Sequence, residues 1–96
     1  MQGKLRRLLI TALERKERFE NLRTRIDWSK SVYLIHPCLF SSLVESYTEE
    51  DSFALSAREG TWYLFGVRLV ADAIQREKAP PELVVALDPS TPRRKS

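Results

Sequence analysis

Between Lys4 and Ile26 the chain has no Pro or Gly, and apolar residues recur as Leu5, Leu8, Leu9, Ala12, Leu13, Phe19, Leu22 and Ile26. That three-and-four spacing is one apolar face of a helix. In a heptad frame Leu5, Ala12, Phe19 and Ile26 fall at a while Leu8, Arg15 and Leu22 fall at d, so one seam position is charged. Glu14 and Arg18 make a helix-supporting pair four residues apart, and Lys16 with Glu20 repeats it in the weaker orientation. The pattern predicts a long amphipathic helix over residues 4–26, packed on its own domain or paired with another helix. Its start, with Lys4, Arg6 and Arg7 beside Leu8, Leu9 and Ile10, also suits a membrane surface, which the acids downstream oppose.

Asp27 to Ser31 reads as a polar loop, and Val32-Tyr33-Leu34-Ile35 as a buried strand ending before Pro37. Pro37 fits the first position of a helix whose face is Leu39, Phe40, Leu43, Val44 and Tyr47. Thr48 to Asp51 has the form of a helix start, with Thr48 as N-cap and Asp51 at the capping-box position. Residues 49–59 read equally as a polar excursion, because Phe53, Leu55 and Ala57 alternate as a strand would.

The segment from Gly60 to Lys78 supports two readings. As strands, Trp62–Phe65 and Val67–Val70 flank Gly66, a turn or bulge residue; as a helix, Arg68, Asp72 and Arg76 share one face. Crowded aromatic and β-branched residues, and the cost of a mid-helix Gly, favour strands. Asp72 to Lys78 is a loop or a short helix stopped by Pro80 and Pro81, and Leu83–Leu87 is a second continuous apolar strand. The fold class expected is therefore α+β: a long N-terminal helix, then a small sheet of Val32–Ile35, Trp62–Ala71 and Leu83–Leu87 with one or two short covering helices. The alternative is a mostly α chain with residues 61–79 helical. Residues 1–89 form one domain in this reading, and 90–96 a disordered basic tail.

Charge changes the picture. Residues 1–30 hold nine basic and four acidic residues, 31–92 hold four basic and nine acidic, and Arg93, Arg94 and Lys95 follow, for a net +3. Separated charge of this kind acts on association more than on fold. A 96-residue chain buries only a modest core, which makes self-association or a larger protein partner an expected source of stability. One Cys rules out an internal disulfide, and with one His a metal site would need clustered carboxylates, which the spacing does not offer. No stretch approaches a membrane span and Glu14-Arg15-Lys16 interrupts any leader-like run, so a cytoplasmic protein is expected.

Little in the chain reads as catalysis. His36 and Cys38 flank Pro37, and a Cys–His pair can make a thiolate, but without a special turn the imidazole does not reach the sulfur. They read as a strand-end or capping His and a small buried Cys. Glu45, Glu49, Glu50 and Asp51 read as a solvated charge run. No catalytic residue, cofactor or metal is expected.

YLIHPCLFSSLV, GTWYLFGVRLVADAI and APPELVVALD, with HP at 36–37 and LFGV at 64–67, together resemble a segment of tailed-phage structural proteins of the common major-capsid type over residues 31–88. The chain is far shorter than a capsid subunit and has no spine helix or extended arm. The resemblance therefore implies a phage or prophage accessory or virion-associated protein, and no catalytic residues. The function expected is that of a non-enzymatic assembly or interaction protein acting as a homo-oligomer or on a larger partner. Its contacts are Leu5, Leu8, Leu9, Ala12, Phe19 and Leu22 as a seam, with Arg15 and Arg18 facing acids such as Glu49, Glu50 or Asp51. The alternative is a nonspecific nucleic-acid-binding protein using Arg7, Arg15, Arg18 and Arg25 with Arg93, Arg94 and Lys95, and Trp28 or Tyr33 stacked on a base.

Overall fold

The computed structural model describes residues 3–22 and 24–89. Helix α1 (Gly3–Glu20) carries Leu5, Leu9 and Ala12 on its buried face. Strand β1 (Ile26–Ile35) leads into α2 (Pro37–Ser46), then a 3-10 turn at Glu49–Phe53, and then strands β2 (Leu55–Arg58), β3 (Thr61–Leu64), β4 (Val67–Ala71) and β5 (Glu82–Leu87). The five strands form one mixed sheet in the order β2-β3-β4-β1-β5. Only β1 and β4 run parallel, with Val32 beside Arg68 and Ile35 beside Ala71. The fold is α+β, and residues 61–79 hold strands β3 and β4 and a turn-rich loop rather than a helix. No helix among the described residues is long and apolar enough to cross a membrane.

Alternation sorts the strand side chains onto two faces. Leu55, Leu64, Val67, Leu69, Tyr33 and Ile35 face the helices and are buried with Leu5, Leu9 and Ala12 of α1 and Leu43 of α2 in one cluster. A Leu as fully buried as Leu9 contributes about 1.5–3 kcal/mol by leaving water. Tyr33, wholly buried, donates its hydroxyl to the Ala12 carbonyl at 3.1 Å. That bond gives the phenol a polar partner inside the core and fixes α1 over β1.

Helix α1 is shorter than its periodicity predicts. Ile26, at an a position of the heptad frame, belongs instead to β1 and pairs with Leu87. Asp27–Ser31 is likewise strand rather than loop, because its polar side chains carry an irregular stretch of ladder. The Asp27 carboxylate accepts from the Ser29 N–H at 3.2 Å, and the register against β5 shifts between Asp27 and Val32. Buried Ser31 donates to the Asp27 carbonyl at 3.0 Å and accepts from the Ala86 N–H at 2.9 Å, replacing a lost backbone partner. The tail expected at 90–96 lies outside the described residues.

Gly66 sits in a turn, not a bulge. Leu64 pairs with Val67 across Phe65-Gly66, and Arg58 with Thr61 across Glu59-Gly60. All four turn residues have positive φ: 52° and 78° for Glu59 and Gly60, 50° and 79° for Phe65 and Gly66. These are two-residue turns of the type whose twist matches antiparallel strands. Phe65 tolerates the left-handed backbone because its N–H bonds the Ala54 carbonyl at 2.8 Å and its ring packs on the core.

Glu59→Asn supplies the residue this turn prefers and raises the urea midpoint, whereas Gly66→Ala lowers stability by about 1 kcal/mol; no rise for the first would contradict the turn assignment. Burial, together with the Glu20 charge, raises the Tyr33 phenol to about 12, against a smaller opposite effect of Arg15. The folded state then holds that proton where the unfolded state releases it, so stability falls as pH rises from the free phenol value, about 10, toward 12. Tyr33→Phe removes this alkaline slope, which urea melts across that range would show.

Candidate interaction surfaces

The residues expected to form a seam between chains divide on α1. Leu5, Leu9 and Ala12 are covered by the chain's own sheet. Leu8 and Phe19 are half-buried at the helix flank, while Arg15, Arg18 and Leu22 are exposed. The first half of the apolar stripe, Leu5, Leu9 and Ala12, is thus spent within the chain. Arg6, rather than Arg15 or Arg18, lies nearest the buried acid Asp51, at 3.8 Å.

Asp51 is consumed locally as well. Its Oδ2 accepts from the Thr48 N–H at 3.0 Å and the Thr48 hydroxyl at 3.1 Å, closing the 3-10 turn. Burial pushes its carboxyl up, but the Thr48 hydrogen bonds outweigh it, so its pKa lies below the ordinary carboxylate value. The ion is therefore a structural group, not part of a solvated run. Its contribution is present above the unfolded carboxylate range and is lost as pH falls through the lowered value. The stability gap between the wild type and Asp51→Asn should accordingly narrow on acidification, measured by urea melts between about pH 6 and 2; a gap independent of pH would contradict this role.

Tyr33, a candidate for base stacking, is fully buried and unavailable. Trp28 is half-buried, with the Lys16 ammonium 5.1 Å from its ring centroid. Arg7 is exposed and lines a cleft of about 420 Å3 between α1 and α2 with Lys4, Leu5, Leu8, Leu39, Ser42 and Lys78. Arg25 is exposed, and its carbonyl accepts from the Asp88 N–H at 3.2 Å. Arg93, Arg94 and Lys95 lie outside the described residues.

At the carboxyl ends of the parallel strands the structure corrects two expectations. Cys38 is exposed rather than buried. The loop after β4 also brings Glu77 to His36 and Cys38, so that one ligand atom of each lies within 4.8 Å of the others. Sequence spacing could not show this, because Glu77 arrives only through the pairing of β4 with β1. His36 is the N-cap of α2, and its Nδ1 accepts from the Cys38 N–H at 3.1 Å. With Nδ1 accepting, the neutral ring carries its proton on Nε2, so a metal on either nitrogen would end the cap, by taking Nδ1 or by moving the proton onto it.

The surface that sequence reasoning missed is the other face of the sheet. Register places Val32, Leu34, Val70 and Val84 side by side there, with Tyr63 and Arg68 in the neighbouring positions. No described helix packs on this face, and Val84 is 45% exposed. The signal was present in the unbroken apolar runs Val32–Ile35 and Leu83–Leu87, since a strand with only one buried face alternates with polar residues. No family model matches the chain, and no similar curated protein or solved structure was found.

Proposed function

We propose that the protein is a non-enzymatic assembly or interaction module, acting by self-association or by docking to a larger protein. The observation that carries this reading is the one-sided sheet. Helices α1 and α2 share one face, while the opposite face has an aliphatic centre formed by half-buried Val32, Leu34 and Val70 and exposed Val84. Strands apolar on both faces gain most when both are covered, and the described residues supply one layer. The resemblance of residues 31–88 to tailed-phage structural proteins agrees with an accessory or virion-associated role.

A second reading, nonspecific nucleic-acid binding, is favoured by Lys4, Arg7 and Lys78 around one cleft. Salt separates the two. Light scattering behind a sizing column, on nuclease-treated and untreated material at about 0.1 and 0.5 M salt, should give a mass above one chain that persists at high salt and carries no nucleic acid. A single-chain mass with nucleic acid bound at low salt and shed at high salt would overturn the assembly reading.

A further inference from the structure

The two edges of the sheet are built differently. Strand β2 is a blunted edge: four residues long, with Ser56, Ala57 and Arg58 all exposed. Strand β5 is less protected, with Glu82 at its start as its one charged residue. Over six residues it carries no Lys, Arg, Pro or bulge of its own, and Val84 and Leu87 are 45% and 63% exposed. An unguarded apolar edge is a template for another strand.

The direction of its free backbone groups is fixed by two hydrogen bonds. The N–H groups of Ala86 and Asp88 point inward, to Ser31 Oγ at 2.9 Å and the Arg25 carbonyl at 3.2 Å. Alternation along the strand then turns the N–H and C=O of Leu83, Val85 and Leu87 outward. No described strand pairs with that side.

We infer that β5 pairs antiparallel with β5 of a second copy about a two-fold axis at Val85, joining two sheets into one. This rests on the assembly reading and names its partner. The register is self-complementary: Val85 meets its own copy, and Leu83 lies opposite the partner's Leu87, so all three outward residues of each chain find backbone partners. On the open face Val84 lies opposite the partner's Ala86, which extends the aliphatic patch from Leu34, Val32 and Val84 across the junction. At the ends of the ladder Glu82 meets the partner's Asp88, a like-charge pair.

The test is light scattering of the full chain over a concentration series, with amide hydrogen exchange and with two surface variants whose folding is checked by circular dichroism. The wild type should reach the mass of two chains, and the Leu83, Val85 and Leu87 amides should gain at least tenfold protection as it does so. Leu87→Lys, on the edge, should remain one chain under the same conditions, while Val70→Lys, on the open face away from the edge, should pair as the wild type does. Association lost in Val70→Lys but kept in Leu87→Lys would overturn the edge pair and leave the assembly reading standing on the open face. A wild type of single-chain mass at every concentration would overturn the edge pair and the self-association form of the assembly reading.

Discussion

Everything else in this molecule depends on the seating of α1 on the sheet. Leu9 and Ala12 are wholly buried in the shared core, Leu5 nearly so, and the Tyr33 hydroxyl of β1 reaches across to the Ala12 carbonyl. This contact closes the long-range part of the core, because residues 21 apart in sequence meet through both apolar packing and a hydrogen bond. A helix of 18 residues is marginal alone in water, so its stability comes from the face it buries. The sheet in turn needs that cover, since the residues that α1 and α2 hide are the inward halves of β1, β3 and β4.

Using α1 in this way decides which surfaces remain. The stripe that a heptad frame offers to another helix is occupied at Leu5, Leu9 and Ala12, and the larger apolar surfaces left are the reverse of the sheet and the outer side of β5. Both have apolar centres, drawn mainly from β1 and β5, whose runs Val32–Ile35 and Leu83–Leu87 lack polar alternation. Charge is arranged around this core rather than in it. Asp51 is the one buried acid, and it is held by Thr48 and faces Arg6. Most other charged groups sit on the outside of α1 and in the loops, where they bear on encounter with partners more than on the fold.

The sequence made the class of fold legible, and several local devices with it. Pro37 opens α2, His36 caps it, and Thr48 with Asp51 closes the 3-10 turn, because each depends on neighbours within a few residues. Strands β3 and β4 were legible from aromatic and β-branched crowding, and Gly66 from its fitness for positive φ. What stayed hidden was set at long range. The strand character of Asp27–Ser31 requires β5, 55 residues away at the Ser31–Ala86 bond, to supply the ladder. The proximity of Glu77 to His36 and Cys38 requires the parallel pairing of β1 with β4. The α1 stripe was visible as a stripe, but periodicity is the same whether a helix buries it on its own sheet or on another chain.

That last distinction bears the whole account, and native-state hydrogen exchange of α1 measures it most directly. If α1 is an integral layer of its own chain, the slowest amides of α1 around Leu9 and Ala12 will exchange with the same opening free energy as those of Tyr33 and Leu69, and the two will stay equal when the protein is diluted to single chains. Protection of α1 that disappears on dilution while β1 and β4 stay protected would show that the helix is covered by another chain, and would contradict the account.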